Sequence, residues 1–209
     1  MIFCRKQTFY YFCTKYGVAY TPSFQSLSSM ETIKVQDRLF TPFLSEAEIK
    51  GRVAELAARI DKDYAGKCPL FLAVLSGSFV FAADLLRAVT IPCEIAFIRV
   101  SSYEGMGSTG QVKQLMGLKE DIAGRDVIVV EDIIDSGLTM KELQGILAEK
   151  QPASVRLASL LVKPGNLKVD LDIPYRCFDI PNDFIVGYGL DYDGQGRNLP
   201  AIYKVCPSE

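Results

Sequence analysis

Three carboxylates crowd one short segment, VIVVEDIIDSGLTM, residues 127–140: Glu131 and Asp132 follow an apolar run, and Asp135 precedes Ser136, Gly137, Leu138 and Thr139. Such side chains can accept hydrogen bonds from sugar hydroxyls, help to hold a divalent cation, or take a proton. The residues after them suit a different ligand. A small-residue turn that opens a helix offers free backbone N–H groups, hydroxyls and, at Gly137, access to unusual φ, and so makes a cup for phosphate. Together the stretch fits a sugar phosphate, with phosphate in the turn and two ribose hydroxyls on Glu131 and Asp132. Unpaired carboxylates inside a sheet would cost on the order of several kcal/mol. The pattern therefore puts both acids at the rim, past a strand over 126–130.

A plainer reading makes Asp135 and Ser136 helix caps, which explains one acid but not three. A receiver-type domain also sets acids after an apolar strand, but near its start, and only 79 residues remain here from Glu131 onward. The patterns G-x-x-x-x-G-K-[ST] and G-x-G-x-x-G are both missing, which excludes a P-loop and a dinucleotide fold. The chain has no histidine. That removes Ser-His-Asp and Cys-His catalysis and histidine metal ligands, leaving carboxylates, lysines, hydroxyls and backbone amides.

The elements that must position these groups read as alternating helices and strands. SEAEIKGRVAELAARI (45–60) has Ser45 and Glu48 in capping-box spacing and Ile49, Val53, Leu56 and Ile60 at helical intervals. PLFLAVL (69–75) is a wholly apolar strand, FVFAADLLRAV (79–89) a helix, CEIAFIRV (93–100) a strand, and the Gly- and Ser-rich 101–114 a mobile loop. After the strand at 126–130 come a helix over 138–150 and strands at 155–162, 175–180 and 184–190. Strands apolar on both faces, alternating with helices, predict a parallel sheet covered on both sides, with ligands at its carboxyl edge. Ser76-Gly77, Ser101 to Tyr103, Glu131 to Thr139 and Lys163 then share one crevice.

At 209 residues the chain suits one α/β domain, and with net charge −2 and pI 5.4 it lacks a general positive field for nucleic acid or anionic lipid. Six scattered cysteines without C-x-x-C spacing read as reduced thiols. Residues 1–29 hold eight of the 22 Phe and Tyr residues and no acid, yet no apolar run long enough for a signal peptide or membrane span. They are read as an extension, disordered or the product of an upstream start, with Met30 the working start and the domain at 30–209.

VIVVEDIIDSGLTM resembles the phosphoribosyl pyrophosphate signature of type I phosphoribosyltransferases. With LASLLVK (157–163) and FIVGYGLDYDGQGRNL (184–199), the chain is similar to the hypoxanthine-guanine phosphoribosyltransferases from about Asp37 to Val205. The resemblance implies a mainly parallel central sheet flanked by helices, with a small hood built from the two ends of the domain. It implies transfer of the 5-phosphoribosyl group from phosphoribosyl pyrophosphate to hypoxanthine, with guanine expected as well, and a requirement for Mg2+. It also implies a homodimer or homotetramer acting in the cytoplasm of the cell. A xanthine-preferring transferase and a non-catalytic sensor of phosphoribosyl pyrophosphate are the alternatives.

Carried over residue by residue, the resemblance makes Asp135 the group at purine N7, as general base or as a stabiliser of developing charge. Glu131 and Asp132 hold the ribose and one magnesium, and Asp135, Ser136, Gly137, Leu138 and Thr139 the 5′-phosphate. Lys163 donates to the exocyclic O6 and so selects an oxo group over an amino group. Phe184 stacks on the purine, Ile185 reads its edge through backbone, and Asp191 binds a second magnesium beside the base. Ser76, Gly77 and Arg197 bind pyrophosphate, the first two in a loop where the family commonly has a non-proline cis peptide. Some members carry lysine where this chain has Ser76. Ser102 and Tyr103 begin the mobile loop that closes over the reacting centre.

Overall fold

A computed structural model describes residues 31–102 and 112–207. The N-terminal extension, Met30 and Tyr103 lie outside the described residues. The elements run β1 (Ile33–Val35), β2 (Arg38–Leu44), α1 (Glu46–Asp63), β3 (Leu70–Leu75), α2 (Phe79–Ala88), β4 (Glu94–Ser102) and β5 (Val112–Met116). They continue with β6 (Asp126–Ile134), α3 (Leu138–Ala148), β7 (Ser154–Val162), β8 (Tyr175–Asp179), β9 (Ile185–Val186) and β10 (Ile202–Val205).

Six strands form the central sheet in the order β5-β4-β3-β6-β7-β8, all neighbours parallel except β5, which runs antiparallel to β4. Successive residues point to opposite faces, so both faces of an apolar strand need a cover. In β3, Phe71 and Ala73 pack with α1 and α2, whereas Leu70, Leu72 and Val74 pack on the α3 side. On α1 the Ser45 hydroxyl accepts from the Glu48 N–H, and the Glu48 carboxylate accepts in return from the Ser45 N–H at 2.8 Å. The helix buries Ile49, Val53, Leu56 and Ile60 against the sheet, each contributing about 1.5–3 kcal/mol.

The hood is a separate antiparallel sheet ordered β1-β2-β10-β9, in which Phe40 of β2 faces Val205 of β10. Its small core comprises Val35, Phe40, Val186, Ala201 and Tyr203. The two ends of the domain therefore meet in it, as the resemblance implies.

Three sequence expectations need correction. Of the loop expected over 101–114, residues 101–102 belong to β4 and 112–114 to β5, because pairing of β5 with β4 (Arg99 with Met116, Val100 with Leu115) fixes an edge that composition alone does not announce. The strand expected over 184–190 shrinks to Ile185–Val186, since Gly187, Tyr188 and Gly189 all take positive φ and turn the chain. Most consequential, β6 does not stop before its acids. It runs on through Ile134, paired to β7 by Glu131 with Ser159 and Ile133 with Leu161, so both acids stand inside a strand rather than on an open rim.

Candidate active site

The carboxyl ends of β3, β4 and β6 converge on a cavity of about 250 Å3 whose walls include Leu75, Val100, Glu131, Asp135, Ser136, Gly137 and Thr139. A larger hollow of about 490 Å3 lies between α1 and β8. Its arginines already have partners in the protein: Arg52 pairs with Glu55, Arg176 with Asp179, and Arg59 donates to the Pro174 carbonyl. The smaller cavity is the one that gathers the carboxylates and the small-residue turn singled out in the sequence.

Below it, α3 begins at Gly137, which takes φ +77° and caps the helix without any side-chain hydrogen bond. A bare helix N-terminus presents N–H groups and a partial positive charge to an anion. Asp135 does not cap the helix, as the plainer reading had it. Its carboxylate turns toward the end of β7, accepting from Lys163 Nζ at 3.0 Å and from the side-chain amide of Asn166.

Glu131 and Asp132 stand in a different state. Asp132 is buried, and Glu131 Oε2 is buried without a hydrogen-bond partner among the described residues. Burial, followed by the neighbouring Asp132 charge, pushes the Glu131 carboxyl well above the usual range. Burial also raises Asp132, offset in part by hydrogen bonds from Glu131 and the Ile133 N–H and by the Arg197 charge. The pair wants donors or a cation that the described residues do not supply.

The Leu75–Ser76 peptide is cis, as the resemblance leads one to expect. Gly77 packs so closely on Asp132 that a side chain there would overlap the carboxylate, and its carbonyl in turn abuts Gly189. Arg99, within β4, reaches Ser76 Oγ at 3.3 Å. Sequence reasoning missed Arg99 because an arginine in a strand otherwise reads as surface. It places a cation at the loop where Ser76 stands for the lysine of some relatives.

Arg197 pairs with Asp191 at 2.7 Å and donates to the Gly189 carbonyl at 2.7 Å, while Asp191 also accepts from the Gly194 N–H at 2.7 Å. Among the described residues no group of three acids, cysteines or histidines forms a ready metal cluster. Glu131 and Asp132 thus stand apart from Asp191, as suits a cation whose remaining ligands come from substrate oxygens.

Above Lys163 lies the hood. Phe184 is 44% exposed, with Tyr192 edge-on at 5.6 Å and the fully buried Phe40 behind it at 6.3 Å. An exposed ring braced from behind is a stacking surface rather than a core residue. Ile185 is buried and fixed by pairing with Lys204 of β10. Lys163 is only 8% exposed and also donates to Asn182 Oδ1 at 3.2 Å. Ser102, expected to begin a loop, instead ends strand β4, and Tyr103 lies outside the described residues.

A model of the phosphoribosyl transferase domain matches residues 43–193, most of the chain. The protein belongs to the phosphoribosyltransferase family. Among its relatives, the hypoxanthine phosphoribosyltransferase of Salmonella typhimurium is 46% identical over 165 residues, covering 78% of this chain and 93% of that one. A hypoxanthine-guanine phosphoribosyltransferase of Streptococcus agalactiae serotype V is 48% identical over 159 residues, 76% of this chain and 88% of the other. A crystal structure of a hypoxanthine-guanine phosphoribosyltransferase from Bacillus anthracis superposes with a TM-score of 0.72 at 44% identity, covering 79% of this chain and 96% of that one. The central sheet and antiparallel hood are therefore those of a type I phosphoribosyltransferase.

Proposed function

We propose that the chain is a purine-salvage hypoxanthine phosphoribosyltransferase, acting on guanine as well. It joins a 6-oxopurine to the anomeric carbon of phosphoribosyl pyrophosphate, forms IMP or GMP, and releases pyrophosphate. The observation that carries this reading is the set of complementary half-sites at one sheet edge. The uncapped N-terminus of α3 and the unpartnered Glu131 suit a ribose phosphate, and Lys163, Asp135 and Phe184 suit an oxopurine.

In this reading the phosphate sits on Asp135 to Thr139, and the ribose hydroxyls donate to Glu131 and Asp132. Ser76, Gly77 and Arg197 receive pyrophosphate. The purine stacks on Phe184, donates from N7 to Asp135, and accepts at O6 from Lys163, which an amino group could not do. As the C–O bond to pyrophosphate lengthens and the C–N bond to the base forms, positive charge grows on the ribose ring, and fixed carboxylates nearby stabilise it. Glu131 with Asp132, and separately Asp191, would hold Mg2+, which supplies charge neutralisation for the leaving pyrophosphate; the orphaned Glu131 Oε2 fits that task. Asp191 has to loosen its pairing with Arg197 to take part.

Cytoplasmic residence and a homodimer or homotetramer belong to the same reading. Among the described residues no helix is long and apolar enough to cross a membrane. A solved Trypanosoma cruzi hypoxanthine phosphoribosyl transferase, TM-score 0.77 at 38% identity over 84% of this chain and 95% of that one, is described for the role of its C-terminal region in oligomeric state and activity.

The test is a spectrophotometric assay with magnesium and phosphoribosyl pyrophosphate against hypoxanthine, guanine, xanthine and adenine. Turnover of hypoxanthine with adenine inert is expected. Preference for xanthine would move the reading to a sister enzyme, and binding of phosphoribosyl pyrophosphate without any turnover would make the protein a sensor.

A further inference from the structure

Each ion of the Asp135–Lys163 pair has two partners. Asp135 Oδ2 accepts from Lys163 at 3.0 Å, while its Oδ1 accepts from the Asn166 amide. Lys163 Nζ in turn donates to Asp135 and, at 3.2 Å, to Asn182 Oδ1. The two asparagines come from turns on different sides of the site. Asn166 closes the one-turn 3-10 helix Pro164–Asn166 directly after β7, its N–H bonded back to the Lys163 carbonyl at 3.0 Å. Asn182 lies between β8 and the stacking residue Phe184.

The reading of the site as an oxopurine pocket, on which this inference rests, requires the direct ion pair to open. The base presents an acceptor at O6 and a donor at N7, so it can replace one Lys163–Asp135 bond by two bonds to itself. During that exchange a lysine this deeply buried loses its carboxylate, and Asp135 loses its cation. Either one, left with no other partner, would carry an uncompensated charge.

We infer that Asn166 and Asn182 are positioning residues for base exchange, neutral amides that keep Asp135 and Lys163 aimed while the purine takes the place of the ion pair. Asn182 retains the ammonium at the height of O6. Asn166 retains the carboxylate facing N7. Being neutral, they leave the charge of the pair balanced in both states. Their geometry also divides the labour: removing Asn182 disturbs recognition of the base at O6, whereas removing Asn166 lets the Asp135 carboxylate swing away from N7.

The experiment compares wild-type protein with Asn182→Leu, Asn182→Gln, Asn166→Leu and Asn166→Gln, all checked for an unchanged melting transition. Asn182→Leu is expected to raise KM for hypoxanthine about tenfold while KM for phosphoribosyl pyrophosphate stays within about twofold, and Asn182→Gln, which keeps a neutral acceptor, to recover most of the loss. Asn166→Leu is expected to lower kcat about tenfold with both KM values held within about twofold, and Asn166→Gln, which keeps a neutral donor, to recover most of it. An unchanged hypoxanthine KM in Asn182→Leu, an unchanged kcat in Asn166→Leu, or equal loss in the leucine and glutamine variants at either position overturns the inference even when the wild type is active. If wild-type protein turns over no oxopurine, the functional reading fails first and takes this inference with it.

Discussion

Two residues, Ile133 and Ile134, separate two carboxylate sites that the fold treats in opposite ways. Glu131 and Asp132 are buried side by side, and Glu131 Oε2 has no partner among the described residues. Asp135, just past the end of β6, has both oxygens engaged, by Lys163 and by Asn166. An unfilled site gains its ligand by satisfying groups that the free protein leaves wanting. A filled site must trade an internal partner for an external one, and so can discriminate among ligands by what they offer in exchange. With the ligands placed as proposed above, the ribose side is suited to affinity, and the base side to choice.

The strongest test of this contrast is Asp135→Asn. It keeps the shape and the phosphate cup but removes the charge, so kcat is expected to fall by about a hundredfold or more while KM for phosphoribosyl pyrophosphate holds within about twofold. Unchanged turnover would take Asp135 out of the chemistry. Gly77→Ala attacks the other side, because the added carbon would displace the Asp132 carboxylate. It is expected to raise KM for phosphoribosyl pyrophosphate about tenfold and to leave that for hypoxanthine nearly untouched; the reverse pattern would mean that the two sides are not separable.

A smaller effect tests the unfilled state itself. The Glu131 carboxyl in the folded chain lies well above its ordinary value of 4.5, so between those two values the folded protein binds the extra proton. Stability on this account is full below about pH 4.5 and falls as the pH rises toward the raised value. Glu131→Gln removes that loss. The ligand-free variant is expected to melt about 2–4 °C above its parent at pH 8, the response of a domain this size to about 1 kcal/mol, with the gap closing toward pH 4. A lower melting temperature at pH 8 would show that the carboxylate is already satisfied.

What the sequence revealed depended on how local the cause was. The capping box at Ser45 and Glu48, the two-faced apolar strands and the phosphate cup at Asp135 to Thr139 are local, and each was legible. The acids were misplaced because the reach of β6 is set by β7: Glu131 and Asp132 stay in the strand through pairing with residues 28 positions or so along the chain, which no nearby pattern records. Asn166 and Asn182 went unnoticed for a related reason, since asparagines in turns are common and only the folded chain aims them at Asp135 and Lys163. Arg99 and the hood strands β1, β2 and β10 likewise acquire meaning only from partners distant in sequence.

The pairing of β2 with β10 joins Phe40 to Val205, nearly the full length of the domain. Such a closure carries the largest loop entropy in the molecule and is the slowest kind of contact to form. During synthesis the phosphate cup, complete once β7 has emerged, can therefore assemble before the stacking wall on which the purine rests. Hydrogen exchange on the finished protein is expected to find the hood amides opening at lower free energy than those of β3 and β6. On this account the pocket for the sugar is the older structure in every folding event, and the pocket for the base arrives last.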